Sequence, residues 1–177
     1  MTNRTRQSSV LTADAIGNMA TSPREPEVAG ALTSTRFIAT ALCTSVLNLL
    51  LNAAGYAFVL KDFYRAHPAG SAEFVQQLNR PPDQLIVWAM AVTSLTMGLF
   101  ITTVMRWSGA KTFVTGLKQG AIVGFLFWSS VNSGLYASSN MFSLPSALVD
   151  TPLSALSMTI SAAFAAWMLN RGRVRVE

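Results

Sequence analysis

Asn48, Asn52 and Tyr56 recur every four residues in one apolar stretch, and Ser129, Asn132, Ser133 and Tyr136 recur at spacings of three and four in another. At roughly 100° per residue each set falls on one face of a helix. Amides and hydroxyls arranged this way donate and accept hydrogen bonds, but they carry no charge and hold no readily exchanged proton. The chemistry they offer is hydrogen bonding, to neighbouring helices as packing contacts or, in a polar cavity of the outer half, to a neutral or lipid-like molecule. Asp150, which precedes Thr151 and Pro152, completes the set of candidate ligand-binding residues. Its spacing predicts a helix cap, with Pro152 in the first helical turn, and its alternative role is a gate or ion contact facing the polar stripe.

What is missing narrows the functions further. No Asp, Glu, Lys, Arg or His lies in 37–60, 85–105, 119–138 or 152–169. Proton pumps and cation antiporters place an ionisable group near the membrane midplane, so that class is disfavoured. Paired intramembrane histidines for haem are absent, and so is any base that could activate a serine. His67 stands in a link with no second histidine or cysteine at ligand spacing, which argues against a metal site. No cofactor is expected.

The elements that must position these side chains are apolar helices. Of 177 residues, 51% are hydrophobic and only 12% charged, and the charges avoid the four windows. Each window holds about 18 to 24 residues, enough at about 1.5 Å per residue to cross a hydrocarbon layer of roughly 30 Å. A soluble chain of this size could not bury four helices that are apolar on nearly every face. The expected fold is therefore all-α: an integral membrane four-helix bundle spanning 36–170. Its small and polar stripes should converge, because lipid supplies no hydrophobic drive for helix association. Gly116, Gly120 and Gly124 form a track on the third span opposite its polar stripe, suited to close helix packing. The third span is expected at the centre of the bundle, with its polar face turned toward Asn48 and Asn52 in the outer half.

Of 13 Lys and Arg, all but Lys61, Arg65 and Arg80 lie in the N-terminal tail, the link between spans two and three, or the C-terminal tail. The positive-inside rule then places both termini in the cytoplasm. The net charge of +5 reads as a topology signal and a contact with anionic lipid. Nucleic acid is not an expected partner. Residues 1–35, rich in Ser, Thr, Ala and Pro, are expected to be a disordered cytoplasmic tail, and 171–177 a basic one. The first span should act as an uncleaved start signal. Cys43 is the single cysteine, so no intrachain disulfide can form.

In the first outer link, 72–78 is expected to form a short interfacial helix stopped by Pro81 and Pro82, with Phe63, Tyr64 and Phe74 as membrane-facing anchors. The pairs Asn52/Tyr56 and Asn132/Tyr136 share a spacing that would fit two parallel hairpins. Four features carry a resemblance. They are Leu78, Asn79, Arg80 and Pro81 ahead of span two, the glycine series from Gly116 to Gly124, the polar outer end of span three, and Asp150 before a small-residue span four. On these the chain resembles small four-span bacterial inner-membrane families that carry no assigned activity. The resemblance covers about residues 37 to 170 and implies a fold and a location, but no catalytic residues. The leading expectation is a non-enzymatic accessory or assembly subunit, or a binder of a neutral or lipid-like molecule. A dimeric transporter is the alternative, with a homodimer or larger membrane complex open. An enzyme drawing on Asp62, His67, Glu73, Asp83 and Asp150 of the outer links is the third reading.

Overall fold

The computed structural model describes residues 35–171 apart from Asn79. The tail expectations for 1–34 and for Arg173 and Arg175 lie outside the described residues, as does Asn79 of the resemblance. Every regular element among the described residues is helical. The first helix, α1 (Thr35–Gly55), runs through a π-helical turn (Tyr56–Leu60) into α2 (Lys61–Ala66). Gly55 and Lys61 on either side of the turn both keep right-handed helical dihedrals, so the winding is continuous. A short α3 (Ala72–Leu78) and a single 3₁₀ turn (Pro82–Gln84) follow, then α4 (Val87–Trp107), α5 (Phe113–Ser138) and α6 (Leu144–Asn170).

Three stretches are long and apolar enough to cross a membrane: Thr35–Ala66, Val87–Trp107 and Leu144–Asn170. With 26 residues α5 has the length as well. Ser129, Ser130, Asn132, Ser133 and Tyr136 make it less apolar than the other three.

Local signals explain where the helices begin. Thr112 and Thr115 form a reciprocal capping box, the Thr112 hydroxyl accepting from Thr115 N–H at 3.1 Å and the Thr115 hydroxyl from Thr112 N–H at 3.0 Å. The box starts α5 at Phe113, ahead of the apolar window. The Ser143 hydroxyl accepts from Ser146 N–H at 3.3 Å, and Pro145 sits in the first turn, where no N–H is needed. That start corrects two expectations. The fourth long helix opens at Leu144, ahead of the apolar window, and Pro152 lies inside it rather than in its first turn. Asp150 is consequently an interior residue of α6 and caps nothing.

The centre of the bundle is α6, which corrects the expectation that the third span holds that place. Of the most apolar stretch of α6, 56% is buried, against 33% for Thr35–Ala66 and 17% for α4. Ser161, Ala163, Ala165 and Ala166 are fully enclosed. Helix α6 packs on α5, α1 and α4, whereas α1 and α5 make no extensive contact with each other. Small residues on α6 permit this, since Ala and Ser let three backbones approach one helix. The core joins Phe37, Ile101 and Met105 to Met158, Ala162 and Ala165. Outward faces carry Leu42, Val46, Val92, Leu99, Ile122, Leu126 and Leu156, all exposed, which suits hydrocarbon contact. Hydroxyls inside the helices mostly bond back to the carbonyl one turn earlier, as Thr40, Ser45, Thr159 and Ser161 do. Thr44 and Thr102 are the buried hydroxyls that find no partner among the described residues.

Candidate functional site

Two hollows and one buried carboxylate stand where a single polar cavity is expected from the sequence. The first hollow, of about 330 Å³, lies between α5 and α6 and is lined by Ser129, Asn132, Ser133, Tyr136 and Thr151 with apolar walls such as Phe125 and Leu148. The second is a groove of about 430 Å³ between α1 and α4, closed at one side by Trp128 of α5. Asn48, Asn52, Thr93 and Ser94 give it polar points, Leu49, Met90 and Met97 give it apolar walls, and Arg80 stands at its link end. The stripes of spans one and three therefore do not face each other, because α6 stands between them. Asn48 turns to α6 instead, its carboxamide oxygen accepting from Ser161 Oγ at 3.3 Å.

Asp150 is 8% exposed and ties three elements together. Its Oδ1 accepts from the Tyr64 hydroxyl of α2 at 2.9 Å. Its Oδ2 accepts from Asn132 Nδ2 of α5 at 2.7 Å and from Ser154 Oγ, one turn along α6, at 3.4 Å. Asn132 Nδ2 also donates to Thr151 Oγ1 at 3.0 Å, and Thr151 in turn donates to the Ala147 carbonyl at 2.8 Å. Phe142 meets the Tyr64 ring edge-on at 6.0 Å and Tyr56 lies tilted against it at 6.4 Å. These ring contacts hold the hydroxyl on its target. No basic side chain pairs with Asp150 among the described residues, where the one ion pair found is the exposed contact of Arg65 with Asp62. The end of α2 is tied down separately: the His67 carbonyl accepts from Ser143 Oγ at 3.0 Å and from Ser146 Oγ at 3.3 Å.

Comparison with known proteins finds no matching family model, no matching curated protein and no matching solved structure. The geometry alone therefore carries the functional reading.

Each residue picked out from the sequence has a definite place in that geometry. Ser129, Asn132, Ser133 and Tyr136 share the α5/α6 hollow. Asn48 and Asn52 share the α1/α4 groove, where Asn52 Nδ2 donates to the Asn48 carbonyl at 2.7 Å. Tyr56 is 53% exposed and contributes its ring edge to Tyr64 rather than its hydroxyl to either hollow. The pairs Asn52/Tyr56 and Asn132/Tyr136 thus serve different ends. Gly116, Gly120 and Gly124 lie on α6, where added methyl groups would meet Ala166, Ala162 and Ala155. Two further corrections follow. The Tyr64 hydroxyl does not turn outward but inward, to Asp150. Asp150, expected ahead of the fourth span, lies inside a helix of membrane length.

Helical spacing puts Ser154 on the face of Asp150 and Thr93 on the polar stripe of span two, but sequence reasoning missed Tyr64 and Thr151 at the carboxylate, and Arg80 and Trp128 at the groove. For Tyr64 no periodic signal exists, since 86 positions separate it from Asp150. For Thr151 the signal was Ser143 with Pro145 and Ser146, a helix start that draws 144–151 into the helix. Among the described residues, none of the other outer-link groups of the enzyme reading hydrogen-bonds Asp150. Asp62 pairs with Arg65 at the surface, and His67 stacks on Phe63 at 4.3 Å. Among the described residues no three His, Cys, Asp or Glu side chains come together in a way that could hold a metal.

Proposed function

We propose that the chain is a non-enzymatic four-span protein of a bacterial inner membrane, with both termini inside, that binds a lipid-like molecule in the groove between α1 and α4. The observation that carries this reading is the groove's lining: apolar Leu49, Met90, Met97 and Trp128 along its walls, with Asn52, Thr93 and Ser94 as discrete hydrogen-bonding points. Ligand sites are generally of this kind, mostly apolar with a few fixed polar groups, and about 300 to 1,000 Å³ in size. From Ile86 to Met97 the groove follows α4 over a rise of about 16 Å, close to half of a hydrocarbon layer. One acyl or isoprenoid chain lying along α4 would stay within a single leaflet. An accessory role in a larger membrane complex is compatible with this, the bound lipid then lying between subunits.

A photoactivatable fatty alcohol in nanodiscs tests the reading. Crosslinks should concentrate on peptides from α1 and α4 and fall at least fivefold when Ala89→Trp and Thr93→Trp fill the groove. Labelling spread evenly over all four long helices, unchanged in the filled variant, would refute it.

The second reading is a dimeric transporter, favoured by one observation: Tyr64 lines a further hollow of about 200 Å³, whereas Asn132 and Thr151 line the α5/α6 hollow. Asp150 bonds to both sides. A cysteine-accessibility scan of 129–140, in a background with Cys43→Ala, separates the two readings. Reactivity from one face only, under every condition, is the binder's result, and reactivity that switches faces is the transporter's.

A further inference from the structure

The Asp150 carboxylate poses a charge-balance problem that the lipid groove does not touch. It lies in the interior of α6, nine-tenths buried, and every group that bonds it is a neutral donor: the Tyr64 phenol, the Asn132 amide and the Ser154 hydroxyl. Neutral donors spread a negative charge without cancelling it, and an uncompensated charge inside a membrane protein is costly. Among the described residues nothing basic is in reach to cancel it. The titratable groups facing it are Tyr64 of α2, with Tyr56 of the π turn against the Tyr64 ring. Tyr136 of α5 lines one adjoining hollow and His67 the other. None of these carries a fixed positive charge.

The surroundings are rich in hard oxygen donors. Tyr64 Oη and Ser154 Oγ touch the carboxylate directly, and Thr151 Oγ1 is joined to it through Asn132. A half-turn of the Asn132 carboxamide would exchange Nδ2 for Oδ1 at the same place and turn a donor into a ligand. There is no thiolate or imidazole in this shell, so softer transition metals are not suited to it. One carboxylate supplies one negative charge, which balances a monovalent ion and leaves a divalent ion half-compensated. The carboxylate oxygens are in direct hydrogen bonds of 2.7 and 2.9 Å, so an ion enters by taking the place of those hydrogens, and a small ion spreads the oxygens less than a large one. Both adjoining hollows reach a member of the cluster, Tyr64 on one side and Asn132 with Thr151 on the other.

We propose that Asp150, with Asn132, Thr151, Ser154 and Tyr64, forms a binding site for a small alkali cation of the sodium class that joins α2, α5 and α6. The site stands whether or not the α1/α4 groove holds lipid, since no residue is shared between them. Bound cation stabilises the folded chain in proportion to the logarithm of its concentration above Kd. The test is thermal unfolding of the purified full-length protein at fixed pH and ionic strength, with NaCl, LiCl or KCl replacing N-methylglucamine chloride. Sodium should raise Tm by about 5 °C at roughly twentyfold above Kd and continue to raise it with the logarithm of concentration, with potassium weaker. Asp150→Asn should abolish the sodium response, and Asn132→Ala should move its onset to about tenfold higher sodium. Should Asp150→Asn fail to fold, Asn132→Ala and Thr151→Val provide the same readout. Identical Tm in sodium and N-methylglucamine, or a sodium response undiminished in the variants, would overturn the site. So would a Tm that changes with pH alone and is blind to the salt, since a proton would then be the balancing charge.

Discussion

The pairings of α5 with α6 and of α1 with α4 both join two membrane-length helices and both leave a hollow along part of their length, yet the first is closed by three glycines in series and the second around a single one. In the first, Gly116, Gly120 and Gly124 recur every fourth residue, so the same face of α5 meets α6 turn after turn. Methyl groups added at Gly116 and Gly120 would come within 2.7 Å of Ala166 Cβ and 2.5 Å of Ala162 Cβ. In the second, one glycine, Gly98, meets α1 at Ser45 and the Ala41 carbonyl, and Ser94 Oγ donates to the Ser45 carbonyl at 3.0 Å. Toward the link, Met90 stands two four-residue steps from Gly98 where a glycine repeat would have continued, and its bulk with that of Leu49 on the facing helix lines the groove. The contrast teaches that spacing of small residues sets where a helix pair can open. A repeat closes the pair over the turns it covers, and a single small residue pins one point.

Gly120→Val is the strongest way to break this comparison. Its Cβ would meet Ala162 Cβ and the Thr159 backbone, so the expected loss is about 3 kcal/mol, at the upper end of overpacking costs. Chemical or thermal unfolding in detergent would show it, and a wild-type midpoint would mean that α5 does not lie on α6 as described. Gly98→Ala comes next, at about 1 to 2 kcal/mol, because Ser45 must turn away and the Ala41 carbonyl is 2.6 Å from the new methyl. It should also widen the groove and raise lipid crosslinking to α1, an effect that Gly120→Val would not share. Thr102→Val removes a buried hydroxyl that has no partner among the described residues and should leave stability unchanged or raise it by about 0.5 kcal/mol. A loss above about 1 kcal/mol would reveal a partner for that hydroxyl. The smallest effect belongs to Thr93→Leu on the exposed groove wall, within about 0.5 kcal/mol of wild type, while lipid selectivity shifts toward chains without polar groups. The unfolding midpoint and a lipid-competition assay on the same preparation would check both halves.

Much of the helical framework was legible because membrane-length helices announce themselves by composition. The windows 37–60 and 85–105 fall close to α1 with its π turn and to α4. The glycine track was legible as a packing face because its four-residue spacing is itself the geometric cause. Three things were hidden. Hydropathy cannot register a start signal such as Ser143 with Pro145, and so Asp150 was placed at an end rather than inside. Stripe convergence was inferred from each helix alone, and nothing in a stripe says which neighbour it will meet; Asn48 met Ser161 and Asn132 met Asp150. The Tyr64 contact depends on how the chain winds between Gly55 and Lys61, which no periodicity reveals.

That winding has a consequence for how the chain could have arisen. A π turn holds one more residue than the α-helical turn it replaces. With an α-helical turn in place of Tyr56–Leu60, the following residues would swing by about 100° around the axis, carrying the Tyr64 hydroxyl off Asp150. A single inserted codon within that stretch would therefore have brought the Tyr64 hydroxyl onto Asp150, between two helices that already meet at Asn48 and Ser161. Removing one would undo the join while leaving every participating side chain present.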